Sequence, residues 1–320
     1  MAATANKPNK SPFRPGELRV IRTIKGWGKK IILPGFRGMA LFDVVEFFFQ
    51  GIRKSSLLSR ANSLSFTFTL ALFPGILFFF TLIPYIPLEG LQASIMGAFA
   101  KLLPAQVFSF VEDTIAGIVR KQNGGLLSLG FVMAFYFANN GMIGIMKAFN
   151  RSAHTMETRS WWQMHLMSLA LQLILVIIIL MAAALLIVAP PAFNYLLEQG
   201  IITNNITLML MRLAKWTVIC LLIFLSLSFI YYLAPAGKRV FRFFSPGSIM
   251  ATFLALVFII LFNIYIENFS QYNKLYGSIG TIIILMLFIN INAIALLIGF
   301  ELNASIYDAH RSKRKKDERD

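Results

Sequence analysis

Acidic side chains are scarce in this chain of 320 residues: 14 Asp and Glu stand against 30 Lys and Arg, a formal charge of +16. Charges of both signs amount to only 14% of the sequence, while 57% is apolar. That ratio excludes an ordinary soluble domain and indicates a protein that crosses a membrane several times. Cysteine is nearly absent as well. Cys220 stands alone in an apolar run, so no intramolecular disulfide can form, and His154, His165 and His310 are the only histidines. No Cys/His spacing points to a metal. A glycine-rich phosphate loop, a His-Glu-x-x-His helix and a Ser/His/Asp set on one expected face are all missing. The sequence therefore gives no ground for the common nucleotide and hydrolase chemistries. A metal-dependent nuclease needs clustered carboxylates or histidines to hold its ions. Here the few acids lie in loops and tails, apart from Glu267 and Glu301. No enzyme activity, no cofactor and no metal are expected. The first 30 residues also lack the apolar core of a signal peptide, so they are expected to be retained as a basic tail.

What the chain does contain is organised around residues 60–88. From Ala61 to Leu88 there is no charge, and the run is long enough to cross a hydrocarbon core of roughly 30 Å as a helix. Its first half carries Asn62, Ser63, Ser65, Thr67 and Thr69, and Pro74-Gly75 interrupts its middle. Proline removes a backbone donor and crowds the carbonyl one turn earlier, which predicts a kink near Phe73. In lipid the freed carbonyl needs a partner from a hydroxyl or a neighbouring helix. The alternation over 63–70 would also suit a membrane strand, but a barrel needs that pattern in many ten-residue segments, and the other apolar runs here are solid. In a helix, Ser63/Thr67 and Ser65/Thr69 become i,i+4 pairs on two adjacent polar ridges.

Five further apolar runs bring the number of expected spans to six, at about 62–83, 126–146, 166–189, 213–233, 247–266 and 278–300. The fold class is an all-α membrane protein, a bundle of six transmembrane helices. Residues 39–51 carry Asp43 and Glu46 and are too short to span, so they read as an interfacial or packed helix. Residues 89–122 mix charges with apolar residues at helical spacing on either side of Pro104, which predicts two amphipathic helices between the first and second spans. The domain organisation is then a basic tail (1–35), a membrane domain (36–305) and a charged tail (306–320).

The placement of Lys and Arg gives the orientation. With the amino terminus inside, 24 of the 30 fall on the inner side: 12 in residues 1–60, three in 147–159, three in 238–242 and six in 311–319. Lys101, Arg120, Lys121, Arg212, Lys215 and Lys274 fall outside. The bias agrees at every loop, so a multi-pass protein with both termini cytoplasmic is expected. The positive charge is thus a topology signal, and membrane lipids, not nucleic acid, are its expected partners.

Polar groups at lipid depth must find partners, and they are the candidate site. The second span holds Asn139, Asn140 and, at its inner end, Lys147. The sixth holds Asn290 and Asn292 and ends in Gly299-Phe-Glu301-Leu-Asn303. Interhelical hydrogen bonding is the commoner role for such asparagines. Glu301 should pair with Arg60, or secondarily with Lys147, both expected at its depth. Together with Pro74, these residues form the candidate polar interior.

The stretch Phe269-Ser-Gln-Tyr272-Asn273-Lys-Leu-Tyr276-Gly277-Ser278-Ile-Gly280, with the following run to Gly299-Phe-Glu301-Leu-Asn303-Ala304, resembles the signature of the YihY / virulence factor BrkB family. Arg60-Ala61 leading into Ser-Phe-Thr and Phe73-Pro74 is similar to that family's first span. Tyr231-Tyr232-Leu-Ala-Pro235 with Ser245-Pro246-Gly247 is similar to its loop between spans four and five. The resemblance implies a bacterial inner-membrane protein of six spans, linked to envelope integrity and without an agreed biochemical activity. Members have carried a ribonuclease label, for which this sequence offers no chemical support. Tyr272, Asn273, Tyr276, Gly277 and Ser278 sit just before the sixth span. Tyrosine suits the water–lipid boundary, and Gly277 with Gly280 permits a tight outer turn into the helix. Transport of a lipid or other amphiphile is the leading expectation for function, with an envelope scaffold as the alternative.

Overall fold

A computed structural model describes residues 35–54, 56–86, 117, 122–152, 158–199, 205–236, 243–268 and 270–318. All regular structure among them is helical: α1 (Leu41–Lys54), α2 (Leu57–Leu82), a 3-10 turn (Ile83–Tyr85), α3 (Gly124–Ser152), α4 (Trp161–Glu198), α5 (Asn205–Leu233), α6 (Pro246–Asn268) and α7 (Ser270–Asp317). Six stretches are long and apolar enough to span: Leu57–Tyr85, Gly124–Arg151, Trp161–Leu185, Met209–Leu233, Pro246–Tyr265 and Ile282–Arg314. The two helices expected within 89–122 lie outside the described residues.

Local chemistry sets where the spans begin. At α4, Ser160 Oγ accepts from Gln163 N–H while Gln163 Oε1 accepts from Ser160 N–H, a reciprocal capping box. Asn123 Oδ1 accepts from Leu126 N–H at the start of α3. Ser245 precedes Pro246 at the first position of α6, where a missing N–H costs nothing. Within α2 the helix does not stop at Pro74; Leu57–Leu82 is one element.

The six spans form a ring. Each packs on the next in chain order, and α7 closes the circuit on α2. The α2–α3 contact is the most extensive, because small residues of α3 admit α2. Gly130 lies against Phe78, Gly141 against Phe68 and Gly144 against Leu64, an antiparallel register held over the length of both helices. The Ser65/Thr69 ridge of α2 is buried and faces α7, where Ser65 Oγ donates to Met286 O (3.1 Å). The neighbouring ridge is less covered, with Ser63 exposed and Thr67 donating to Ser63 O within its own helix.

Burial is concentrated at one end of this ring. Buried residues fall in the first turns of α2 (Leu57, Ala61, Leu64), the last turns of α3 (Met142, Met146, Phe149) and the last turns of α5 (Ile230, Tyr231). In α7 they gather between Ala293 and Ala309. All these segments lie at the same end, because consecutive spans run in opposite directions. Toward the other end burial falls, although α2 and α3 stay in contact there through Gly130 and Phe78. Phe131, Val132, Met133, Phe135 and Tyr136 of α3 cover a little over half of the helical circumference and are all exposed, as are Val176, Ile177, Ile179, Leu180 and Met181 of α4. The α4–α5 pair also meets the rest of the ring over less of its length than α2, α3, α6 and α7 meet one another. The bundle is sealed at one end and loosened at the other.

Two boundaries differ from the sequence expectation. The sixth span was expected at 278–300 with a turn before it, but α7 is helical from Ser270. Tyr272, Asn273, Tyr276, Gly277 and Ser278 therefore lie on its first turns, since glycine does not break a helix that lipid forces to satisfy its own backbone. Their side chains lie outside the described residues. At the other terminus, residues expected in a charged tail continue α7 to Asp317, with Ile306 and Ala309 buried against Phe36, Met39 and Val44. α1 is thus a packed helix lying along this extension of α7.

Candidate functional site: the sealed end and the polar interior

At the sealed end a charged pair is fully enclosed. Arg60 Nη2 of α2 lies 3.6 Å from Glu301 Oε2 of α7, and each side chain is only 2% exposed. Arg60 Nη1 also donates to Ala148 O of α3 (2.9 Å), so one guanidinium ties three spans together. Gly51 of α1 lies directly over Glu301 Oε1, where no side chain would fit. Lys147, the other cation considered for Glu301, is exposed at the end of α3. Its long stem suits the bilayer surface.

Next to the pair sits an aromatic stack. Phe149 and Phe300 lie face to face, with ring centroids 3.9 Å apart and planes 1° from parallel. Tyr231 closes against both, at 5.7 Å and 6.1 Å. All three are essentially inaccessible. The Tyr231 hydroxyl donates to Leu296 O (2.7 Å), which removes its one polar atom from the apolar interior. α6 crosses α7 where Gly247 meets Gly299, closely enough that each backbone occupies the space of the other's missing Cβ. Asn303 exploits this proximity: its Oδ1 accepts Gly247 N–H (2.8 Å) and its Nδ2 donates to Ser245 Oγ (2.9 Å). Asn303 of α7 therefore caps the start of α6. Asn150 Oδ1 accepts Ala236 N–H (2.8 Å), and Arg159 donates to the carbonyls of Leu233, Ala234 and Pro235 at the end of α5. Basic groups at a helix carboxyl end complement its dipole as well as its orphan carbonyls.

Deeper in the bundle the polar groups are neutral. Ser168 Oγ of α4 lies 2.6 Å from Asn139 Oδ1 of α3 and 2.8 Å from His165 O. One hydroxyl proton cannot serve both, so turning the Asn139 amide, with Nδ2 donating to Ser168, satisfies the pair. Asn290 Nδ2 donates to Asn62 Oδ1 across α7 and α2 (2.8 Å), whereas Asn292 Nδ2 returns to Phe288 O of its own helix. Asn140 is half-buried and has no hydrogen-bond partner among the described residues. Pro74 is buried within α2. Arg60 and Glu301 thus pair at the seal, Asn139 is buried between α3 and α4, Asn140 and Asn292 are half-buried, and the Asn290–Asn62 bond is exposed.

Sequence comparison places this architecture. The profile described as virulence factor BrkB matches residues 48–320, from α1 to the end of the chain. This chain belongs to the BrkB family. Among BrkB relatives, the ribonuclease-like protein YfkH of Bacillus subtilis is 33% identical over 264 residues, 81% of this chain and 92% of its own length. A UPF0761 membrane protein of Idiomarina loihiensis is 25% identical over 221 residues, covering 68% of this chain and 75% of that protein. Another, from Chlorobium luteolum, is 24% identical over 282 residues, 84% of this chain and 61% of its own length. No solved structure matches the chain. With its six spans, this BrkB member is a multi-pass membrane protein. The residues that carried the resemblance at 231–235, 245–247 and 299–304 converge on the sealed end. Sequence reading singled out Arg60 and Glu301 but gave no role to Gly51, Phe149, Arg159 or the Gly247–Gly299 crossing. Glycine inside an apolar span was the available signal for that crossing.

Proposed function

We propose that this protein moves a lipid or other amphiphile across the bacterial inner membrane and so supports envelope integrity. The observation that carries the reading is the one-ended packing: neutral amides lie above a seal of ion pair and aromatics, and burial falls toward the opposite end, where α4 and α5 are the least closely held helices. Such a shape admits an amphiphile sideways, with its tail still in lipid and its head among amides. Asn140 and Asn292 make no bond between helices, so they are available to a passing head group. Replacing either with leucine should abolish rescue of a strain lacking the gene while the purified protein keeps its melting temperature. If both variants rescue fully, transport through this interior is wrong.

A scaffold without transport has its own support, since Asn139–Ser168 and Asn290–Asn62 do join helices. On that reading the Asn140 and Asn292 changes are silent, and loss of Asn139 or Asn290 costs about 0.6 kcal/mol of stability each. The relative named ribonuclease-like raises a third possibility. Among the described residues no three of His, Cys, Asp and Glu gather as a metal site, and our reading is non-enzymatic.

The Lys/Arg bias supports both termini in the cytoplasm, which would put the sealed end inside and the less buried end outside. In a Cys220→Ser background, an impermeant thiol reagent applied to intact cells should label a cysteine introduced at position 113 and spare one at position 5. The reverse pattern would invert the orientation.

A further inference from the structure

One polar pair at lipid depth lies on the outside of the ring. The Asn62–Asn290 hydrogen bond that joins α2 to α7 is exposed, and so is Ser63 beside it. Leu64 and Phe68 of α2 meet glycines of α3, Ser65 reaches α7, and Ala61 between them is fully buried. Asn62, Phe66, Leu70 and Phe73 turn away from that inward side, and all four are exposed. On α7, Met286 and Leu287 stand one turn from Asn290 and Ile283 two turns, on the same flank, and they too are exposed.

Lipid cannot meet what that pair leaves over. One bond between two amides uses a single N–H and a single carbonyl lone pair, whichever way each amide is turned. Neither residue has another hydrogen bond among the described residues. Asn290 lies near the middle of the uncharged run 275–300, about 16 Å along α7 from Glu301. A phosphate or glycerol group would have to leave the interface to reach it, and acyl chains offer no partner. A second copy of the chain supplies what lipid lacks. Copies inserted in one orientation are related by a two-fold axis along the bilayer normal, which sets like faces together. The amide pair is its own complement: the spare N–H groups of one copy meet the spare carbonyl of the other, and the relation is reciprocal. The exposed apolar residues of α2 and α7 border that cluster on both sides. We propose that the outer face of α2 and α7 is a homodimer interface centred on Asn62 and Asn290. The inference stands independently of the transport reading.

The test uses the full-length protein with Cys220→Ser and a dye on Ala5→Cys, donor- and acceptor-labelled copies being mixed in liposomes. Energy transfer should exceed that of randomly distributed monomers and fall as lipid is added, which gives the midpoint of dissociation. Asn62→Leu and Asn290→Leu should each shift that midpoint at least about eightfold toward monomer, through the loss of two interhelical bonds per dimer. Asn62→Gln, which keeps the amide, should stay close to the natural protein. Asn292→Leu should change nothing, since that amide bonds within its own helix. With every amide in place, Phe66→Cys should give a covalent homodimer when membranes are oxidised, whereas Val176→Cys on the exposed side of α4 should not. Transfer at the random level at every lipid ratio would overturn the proposal, and a copurified lipid lost in Asn290→Leu would then assign the face to lipid. Dimers that both leucine variants leave intact, and that cross-link at Val176→Cys but not at Phe66→Cys, would overturn it by placing the interface elsewhere.

Discussion

Glu301→Ala should be among the most damaging single changes in this protein, lowering stability by on the order of 3–5 kcal/mol. The loss comes from what remains. Arg60 is enclosed beside Ala148 O and has no route to water, so its charge stays buried after its counter-ion is gone. An exposed ion pair would be worth about 1 kcal/mol or less, and at 2% exposure this pair is not in that regime. Replacing both partners with apolar residues of similar size is a different experiment. Arg60→Met with Glu301→Leu should return to within about 1 kcal/mol of the natural protein, since no charge is then stranded. Thermal melts of the purified protein, its two single variants and the double variant measure the coupling. Additive losses would show that the two side chains do not act as a pair.

Gly299→Ala should be comparably severe for a steric reason. A Cβ on Gly299 would fall on the Tyr231 hydroxyl, the Gly247 carbonyl and the Ala251 side chain at once. Two of those are backbone or fully packed, so the helices must separate, and the Asn303 cap on α6 is lost with them. The cost should reach at least the upper end of the 1–3 kcal/mol typical of overpacking. Gly247→Ala should behave alike, meeting the Gly299 carbonyl and the Asn303 amide. Gly75→Ala is the contrast: no heavy atom stands within 4 Å, so the change should be neutral or stabilise by up to about 1 kcal/mol. If Gly299→Ala melts like the natural protein, the helix crossing is not as close as described.

Much of the architecture was legible because a bilayer permits so few solutions. An apolar run must become a helix, so the six spans follow from the runs themselves, and the Arg60–Glu301 pairing follows from the rule that a charge at that depth needs a partner. The extension of α7 was not legible for the opposite reason. Asp308, Arg311 and Lys313 make residues 306–317 look like a tail, while only the stripe containing Ile306 and Ala309 is buried. The start of α7 was misjudged because Gly277 and Gly280 signal a turn in water but not in lipid. Nothing in a chain with 31 phenylalanines singles out Phe149 and Phe300 as the two that stack. The contact of Gly51 with Glu301 is likewise a matter of how α1 folds back, which no local pattern encodes.

The seal has a consequence for how the protein is made. Its parts come from opposite ends of the chain: Arg60 is in the first span, whereas Glu301, Phe300 and Asn303 are in the last. While the ribosome is still translating, α2 can pair with α3, and Ala148 O can receive the Arg60 guanidinium as soon as α3 is inserted. The carboxylate arrives only with the sixth span. α6 is in the same position, since its starting N–H at Gly247 waits for an acceptor 56 residues downstream. Five helices must therefore enter the membrane as an open arc carrying an incompletely compensated charge, and the last helix completes the ring as it inserts.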